Sequence, residues 1–266
     1  MVAPDPREVF VFFHVPKTGG ISINHLLNEK LHRGIDFIDL GLAGEEDDAQ
    51  HNRLPIEKRS RTERAKVRVI TGHEVFMRTE RLFPDRLARR ITFLRKPASR
   101  IVSAFNYETS DAAPLSGWDD TVSFEKWYRH QERDVMTKFL AKRVINNRLG
   151  VAFAQAQRFS RYPLHLGCGK WVFEQVQGAL KEFWFVGCTE SLSADMPRIA
   201  RRMGIEGGVD KRNATGRNFS RRLDLTPELE ARLEEENRFD TQLYNYWKQR
   251  IDSRLAEIDA EPAATG

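Results

Sequence analysis

Val9-Phe-Val-Phe-Phe-His-Val15 runs directly into Pro16-Lys-Thr-Gly-Gly-Ile-Ser22, and this stretch decides the fold class. Its first half is rich in β-branched and aromatic residues, which is typical of a short buried strand. Residues 23–31 follow with a helical pattern, so the whole stretch predicts a strand–turn–helix unit. The first N–H groups of a helix lack an intrahelical partner and carry partial positive charge. The stretch therefore predicts an anion-binding turn at the end of a buried strand.

The composition of this turn indicates which anion it suits. Gly19 and Gly20 allow the backbone to approach an oxyanion closely, and Lys17 adds a full positive charge. A P-loop NTPase places its lysine after the second glycine, next to a hydroxyl that binds Mg²⁺, whereas Lys17 precedes both glycines. A further predicted strand ends in Arg95-Lys96, which repels a divalent cation. These features predict a metal-free phosphate or sulfate ester as the ligand.

Length and composition set the broad class of the chain. Its 266 residues suffice for one substantial core, and 40% hydrophobic with 30% charged residues is ordinary for a globular protein. The net charge of +5 suits an acidic ligand but is too small to predict nucleic-acid binding. The N-terminus shows no leader pattern, and no apolar run reaches the roughly 18 residues that span a bilayer. With only two cysteines, Cys168 and Cys188, the expectation is a cytoplasmic enzyme without membrane insertion.

Four short apolar runs, separated by helical patterns, predict a parallel sheet flanked by helices. The runs cover residues 9–15, 67–71, 91–94 and 183–186. Helices are predicted over 98–109, 123–148 (as one or two), 170–181, 191–203 and 226–254. Residues 1–254 are predicted to form a single domain, with a mobile insertion or lid at 40–66 and a flexible tail at 255–266.

A second candidate anion-binding segment follows the predicted strand at 91–94. Arg95 leaves this strand, and Pro97 marks the start of a helix in which Ser103 lies about two turns later. Arg100 shares a helix face with Ser103, because the two residues are three positions apart. An arginine fork suits phosphate oxygens, and a serine adds a hydroxyl donor. Arg95 and Ser103 are therefore predicted to converge on one anion.

Together the two segments resemble the sulfotransferases, in particular the carbohydrate sulfotransferases similar to heparan sulfate 2-O-sulfotransferase. That branch has a Pro-Lys-Thr-Gly-Gly-Thr-Ser type loop for the 5′-phosphosulfate of its donor, 3′-phosphoadenosine 5′-phosphosulfate (PAPS). An Arg-x-Pro-x-x-Arg-x-x-Ser-x-x-Tyr type segment holds the donor's 3′-phosphate. The resemblance implies a P-loop-NTPase-like, three-layer α/β fold with a central, mainly parallel sheet flanked by helices. It implies donor binding by Lys17, Thr18, Gly19, Gly20, Ile21, Ser22, Arg95 and Ser103.

Val69-Ile-Thr-Gly-His-Glu74 places a histidine directly after the second predicted strand, at the sheet edge where open α/β folds bind ligands. In the same branch of sulfotransferases a Gly-His pair at this point supplies the catalytic base, so the resemblance assigns that role to His73. Histidine suits the task because it accepts a proton at neutral pH. Glu74 is the alternative base, because some sulfotransferases use a glutamate. His14 points to the core by strand alternation and is predicted to be structural.

The resemblance extends from residue 9 to residue 247, and includes Phe185-Val-Gly-Cys-Thr-Glu-Ser-Leu192. In the loop that closes over the nucleotide in this family, Arg212 is the candidate for a phosphate contact. Ile21 departs from the pattern because it replaces a threonine. The phosphate contacts would then come from the hydroxyls of Thr18 and Ser22 and from the backbone amides. Tyr107 follows Ser103 one residue later than the pattern. No apolar run predicts the membrane anchor of the family's Golgi members, so a relative without that anchor is expected.

The resemblance implies in-line transfer of a sulfuryl group from PAPS to an acceptor hydroxyl, with a glycan or glycoconjugate as acceptor. The product of the donor would be 3′-phosphoadenosine 5′-phosphate (PAP), and no metal would be required. His73 would accept the acceptor's proton, and Lys17 would stabilise charge on the leaving group. Three alternatives stay open: a metal-dependent P-loop kinase or NTPase, a polyanion-binding module built on residues 198–222, and a sulfotransferase relative that binds donor without turnover.

Overall fold

The computed structural model describes residues 5–41, 56–111, 113, 116–145, 166–207 and 223–261. Within these ranges one sheet of five strands has the order β2-β3-β1-β4-β5, and every pair of neighbours is parallel. The strands are β1 (Glu8–Phe13), β2 (Phe37–Asp39), β3 (Val69–Gly72), β4 (Leu87–Leu94) and β5 (Phe185–Cys188). The predicted α/β class with a parallel central sheet is confirmed.

β1 is the central strand, and all six of its residues are buried. Because successive side chains of a strand point to opposite faces, both faces of the sheet are covered by other elements. Phe13 at the end of β1 is level with Gly72 of β3 and with Thr92 of β4. The segments that follow these three strands therefore emerge at one edge of the sheet, where open α/β folds bind their ligands.

Ten α-helices flank the sheet within the described residues. They are α1 (Gly20–Lys30), α2 (Arg61–Ala65), α3 (Pro97–Glu108), α4 (Phe124–Arg129), α5 (Val135–Val144), α6 (Leu166–Leu180), α7 (Leu192–Arg202), α8 (Pro227–Glu236), α9 (Arg238–Lys248) and α10 (Ile251–Ala260). Pro97 occupies the first turn of α3, where a proline's missing N–H leaves no helical bond unmade. The Thr226 hydroxyl caps α8 by accepting from the Leu229 N–H, as its sequence predicts.

The hydrophobic core has two parts. The larger cluster joins the sheet to residues of α1, α5, α6, α7, α9 and α10. A smaller cluster joins α3, α4 and α8 through Phe105, Trp127 and Leu233. This second cluster fixes α3, the helix of Arg100 and Ser103, against two further helices.

The four predicted strands are present with shifted bounds, and a fifth strand was not predicted. β4 begins at Leu87, four residues before its predicted start, and β3 begins at Val69, two residues after. β5 begins at Phe185, two residues after the predicted start, because Phe183 and Trp184 precede the sheet pairing of Phe185 with Ile91. β2 was not predicted. It has only three residues, and it joins the sheet by pairing with β3 rather than through a strong local pattern.

The single helix predicted over 226–254 is instead three helices. α8 ends and α9 begins at Asn237, whose φ of −120° and ψ of 50° are not helical. The Asn237 side chain accepts from the Asp134 N–H at 2.9 Å and donates to the Leu233 carbonyl at 2.7 Å. The bond with Asp134, which is distant in the chain, stabilises a break that the helical periodicity does not reveal.

The C-terminal segment is held to the domain further than predicted. α10 continues to Ala260 and buries Leu255 and Ile258. Glu261 then accepts from the Trp184 indole at 3.0 Å and contacts Arg202 at 3.2 Å. A flexible tail from residue 255 is therefore not observed up to residue 261.

Two predicted segments fall partly outside the described residues. Of the insertion predicted at 40–66, residues 42–55 are not described, and the remainder includes a 3₁₀ helix at Ile56–Lys58 and α2. Residues 208–222 are not described either, and they include Arg212. Among the described helices, none combines the length and apolar character needed to cross a membrane.

Candidate active site

The turn between β1 and α1 has an unusual backbone. Gly19 caps α1 with a left-handed φ of 93°, and Lys17 is also left-handed, with a φ of 67°. This conformation is strained for a residue with a Cβ atom, and such strain concentrates at functional sites. Ser22 and Ile23 donate to the Gly19 carbonyl, whereas the N–H groups of residues 17–21 donate to no backbone carbonyl of the described ranges. These N–H groups form the array that an anion site requires.

The side chains of the turn are unequally available. The Thr18 side chain is fully buried, and its hydroxyl donates to the Val15 carbonyl at 2.8 Å. Ser22 is half-buried, and Ile21 is 56% exposed. The Thr18 and Ser22 hydroxyls were both expected to contact a ligand, and in this geometry only the Ser22 hydroxyl is available for such a contact. Thr18 keeps its backbone N–H for such a contact.

Position 20 requires a glycine because its backbone lies directly against the His14 ring. A Cβ atom at position 20 would lie 1.7 Å from Nε2 of His14. His14 is buried, as strand alternation predicts, and its ring stacks on Phe12 with centroids 5.7 Å apart. Burial lowers the pKa of His14 to about 3, with smaller contributions from the charges of His73 and Lys17. His14 is therefore a neutral imidazole packed directly against the anion-binding turn.

Lys17 lies among other cations. Its Nζ is 3.9 Å from the centroid of the Tyr107 ring, which is a cation–π contact. The pKa of Lys17 is lowered to about 8, first by burial and then by the charges of Arg95 and Arg100, against an opposing effect of Glu108. Such a crowding of positive charge favours an anionic ligand.

Arg95 and Arg100 join the turn to α3. Nη1 of Arg95 donates to the Lys17 carbonyl at 3.2 Å, and burial lowers the pKa of Arg95. Arg100 is 6% exposed, and its Nε has no hydrogen-bond partner among the described residues. Ser103 is half-buried and precedes Tyr107 by one helical turn, so the two share the face of α3 that meets Lys17. The structure thus brings the two predicted anion-binding segments together.

His73 follows β3 directly, and Gly72 permits its position. Gly72 has a φ of 129°, and a Cβ atom there would lie 2.1 Å from the Leu40 carbonyl oxygen. Nδ1 of His73 is 2.9 Å from the His14 carbonyl oxygen. Because a carbonyl only accepts, Nδ1 carries the proton of the neutral ring, and Nε2 is the basic nitrogen. No described residue hydrogen-bonds to Nε2, so it is available to accept a proton.

Arg143 of α5 contacts the backbone of His73. Its Nε donates to the His73 carbonyl at 2.7 Å, and its guanidinium lies over the Phe139 ring, 3.5 Å from the centroid. Burial lowers the pKa of Arg143 to about 10, against the opposing charge of Glu74. The Glu74 carboxylate is 3.7 Å from Nη2 of Arg143. Glu74 is thus engaged in an ion pair, whereas His73 presents an unbonded nitrogen, and the geometry favours His73 as the base.

Two residues of the site were not among the predicted ones. Tyr107 was only noted for its spacing, and its contact with Lys17 depends on how α3 packs beside the turn. Arg143 had one available signal: it lies on the apolar face of an amphipathic helix, between Phe139 and Val144. A buried arginine on such a face must bind a partner from another element, but the sequence does not show which one.

Comparison with known proteins shows the family of the chain. Residues 2–247 match the family model described as "Sulfotransferase family". The chain is similar to the crystal structure of a sulfotransferase from Alicyclobacillus acidocaldarius, with 16% identity and a TM-score of 0.44 over 96% of this chain and 100% of that one. No curated protein matches the sequence. Since the family model covers most of the 266 residues, the chain belongs to the sulfotransferase family.

Proposed function

We propose that this protein transfers a sulfuryl group from PAPS to a hydroxyl of a carbohydrate acceptor. The observation that carries the proposal is the juxtaposition at one sheet edge of a cationic turn and a histidine whose Nε2 has no described partner. A strained Lys17, next to an array of N–H donors, suits the 5′-phosphosulfate of such a donor. His73 suits an acceptor hydroxyl that must lose its proton.

The residues present fit the anionic ends of the donor. Arg100 has a buried Nε without a described partner, and burial lowers its pKa against the opposing charges of Asp240 and Glu108, so a bound anion would stabilise this charge further. Arg95 and Ser103 would hold the 3′-phosphate, where an arginine fork and a hydroxyl are suitable donors. The N–H groups of residues 17–21, the Ser22 hydroxyl and Lys17 would hold the 5′ end. When bound, PAPS supplies the activated sulfuryl group.

The remaining chemistry is performed by side chains of this protein. His73 would accept the proton of the acceptor hydroxyl at Nε2, an effect of about 10²–10⁴-fold on rate. The Nδ1–H bond to the His14 carbonyl would orient the ring and stabilise the imidazolium that results. Lys17 would stabilise negative charge on the departing bridging oxygen, which is greater in the transition state than in the ground state.

The acceptor class rests on the family resemblance and on an accessible aromatic ring at the site. Tyr107, which contacts Lys17, is 37% exposed on α3. Aromatic rings of this kind stack against sugars as well as against a nucleobase. A glycan or glycoconjugate is therefore the acceptor to test first.

The other functional classes have less support. The end of β4 presents Arg95 and Lys96, and the Lys96 ammonium is paired with Glu230 and Glu234 of α8, so no carboxylate of that segment is placed for Mg²⁺. For a polyanion-binding surface, the described part of 198–222 offers Arg198, Arg201 and Arg202, and two of these, Arg198 and Arg202, are engaged by carboxylates.

A thermal-shift comparison tests the donor. PAP should raise the melting temperature of the wild-type protein, because a ligand that binds only the folded state stabilises it by mass action. ATP with Mg²⁺ should stabilise it less. The Arg95→Ala variant should lose most of the PAP effect, whereas Arg129→Ala, at the exposed last residue of α4, should keep it. Stabilisation by ATP with Mg²⁺ but not by PAP would contradict the proposal.

Sulfation of a carbohydrate panel with radiolabelled PAPS tests the reaction. His73→Ala should lower turnover by about 10²–10⁴-fold while it still binds PAP. His25→Ala, on an exposed position of α1, is the matched control and should retain activity. Near-wild-type transfer by His73→Ala would exclude His73 as the base and direct attention to Glu74.

A further inference from the structure

His14 makes contacts to both halves of the candidate site that no function has yet explained. Its ring stacks on the His73 ring with centroids 4.3 Å apart and an interplanar angle of 25°. On another side its Nε2 lies where a Cβ of residue 20 would be, so the ring is in contact with the first residue of α1. His14 therefore lies between the anion-binding turn and the base.

The backbone of the same residue also contributes. The His14 carbonyl accepts from Nδ1 of His73 at 2.9 Å. One residue thus sets the plane of the His73 ring by stacking and its tautomer by a hydrogen bond. Phe139 also contacts His73. The two rings are edge to face, with their centroids 6.1 Å apart. A ring with these contacts has little freedom to rotate or to exchange its protonated nitrogen.

The chemistry of a histidine suits this place better than that of another polar residue. The ring is flat enough to stack on His73, and it is neutral because burial keeps its pKa at about 3. A cation there would add to the positive charge of Lys17 and would compete with protonation of His73. A neutral ring carries neither disadvantage.

We infer that His14 is a positioning residue, which clamps His73 in the tautomer with a basic Nε2 and sets its distance from the anion-binding turn through contact with Gly20. This inference rests on the proposed role of His73 as base. His14 neither donates nor accepts the transferred proton. Its effect on the reaction is exerted through His73 and through the turn.

Histidine ring ¹⁵N spectra test the clamp without any need for turnover. At a pH well above the ordinary histidine value of about 6.5, wild-type His73 should show a protonated Nδ1 and an unprotonated Nε2. The His73→Gln spectrum identifies which signals belong to His73. In His14→Leu the stack is lost and the two tautomers should mix, while in His14→Phe the stack is kept and the single tautomer should persist.

Kinetics provide the second readout. His14→Leu should lower kcat by about 10²-fold, the effect expected of a misplaced reacting group, while His14→Phe should restore most of it. A purely structural role for His14 would lower the melting temperature of His14→Leu and leave the His73 tautomer unchanged. That result, or an equal loss of the tautomer in His14→Phe and His14→Leu, would overturn the inference.

Gly20→Ala tests the clamp from the other side and does not depend on the folding of His14→Leu. The added methyl group must displace the His14 ring, because the two would be 1.7 Å apart. The His73 tautomers should then mix, although residue 20 does not contact Nδ1. An unchanged His73 spectrum in Gly20→Ala would also overturn the inference. If the wild-type protein showed the clamp but neither bound PAP nor transferred sulfate, the proposed function would fail and the geometry of His14 would stand.

Discussion

Two groups of positively charged residues, one at each end of the central sheet, are placed in opposite electrostatic surroundings. At the amino end of the strands, ion pairs with separations of 2.5–3.6 Å join Arg89, Arg202, Glu8 and Glu261. At the carboxyl end, Lys17, Arg95 and Arg100 are packed close together, and no ion pair joins them to a carboxylate in the described ranges. Each of these three groups has its pKa lowered by burial.

The difference between paired and unpaired cations indicates which charges stabilise the fold and which are available to bind a ligand. A buried charge without a partner raises the free energy of the folded state, and its lowered pKa expresses that penalty. At the amino end, Arg89 and Arg202 avoid the penalty by pairing with carboxylates, whereas Arg68 and Arg86 donate to backbone carbonyls. The carboxyl end retains it, which is expected where a bound anion supplies the missing negative charge. Four predictions test this division, from the largest effect to the smallest.

Lys17→Met should have the largest effect on the reaction. Turnover with PAPS and a carbohydrate acceptor should fall by about 10²–10³-fold, the range for losing one group that stabilises transition-state charge. The loss should appear in kcat more than in PAP affinity, because the backbone N–H groups of residues 17–21 remain. Steady-state sulfation assays measure it. A kcat within a few-fold of wild type would remove Lys17 from the reaction.

Arg95→Ala should weaken PAP binding by about 10- to 100-fold, the equivalent of one or two charged hydrogen bonds. Calorimetric titration with PAP measures the change. The side chain also donates to the Lys17 carbonyl, so part of the loss should come from the altered turn. Equal PAP affinity in Arg95→Ala and wild type would mean that the cations at the carboxyl end do not bind the donor.

The pH dependence of PAP affinity should report on Lys17. Its pKa in the free protein is lowered to about 8, so its ammonium loses the proton as pH rises through that value. PAP affinity should therefore be highest below pH 8 and should decline above it by at most about tenfold per pH unit, the limit for one titrating group. Lys17→Arg should lack this decline, because a guanidinium stays protonated. A flat profile in the wild type would contradict the assignment.

Arg202→Ala should show the smallest effect, and on a different property. The free energy of unfolding should fall by about 1 kcal/mol, as expected of a partly exposed ion pair, while PAP affinity stays at the wild-type value. Urea unfolding and calorimetry measure the two quantities. A loss of PAP affinity comparable to that of Arg95→Ala would break the division between the two ends of the sheet.

Much of the fold was predictable because it is encoded locally. The apolar run of β1, the glycines of the turn and the proline that opens α3 each have a short-range physical cause. The helix break at Asn237 was not predictable in this way. It depends on hydrogen bonds to Asp134 and Leu233, one of which lies 103 positions away in the chain. The residues up to Glu261 are likewise held by contacts to distant strands.

The residues of the candidate site also fall into those predictable from local sequence and those that depend on distant contacts. Lys17, Arg95, Ser103 and His73 could be predicted because each belongs to a short motif that follows a strand. Arg143 could not, because its contact with the His73 carbonyl depends on the packing of α5 against β3. The Thr18 hydroxyl was expected to face a ligand, and only the folded turn shows that it is bonded to Val15.

The sequence by itself determined the strand–turn–helix unit, the cationic turn and the histidine after β3, since these follow from residue types at short spacing. The tertiary structure alone decided that Lys17 lies on Tyr107, that Glu74 pairs with Arg143, and that His14 is stacked on His73. The physical reason is that a parallel sheet brings the ends of separate strands to one edge. A pattern along the chain can name the residues that arrive there, but it does not contain their contacts.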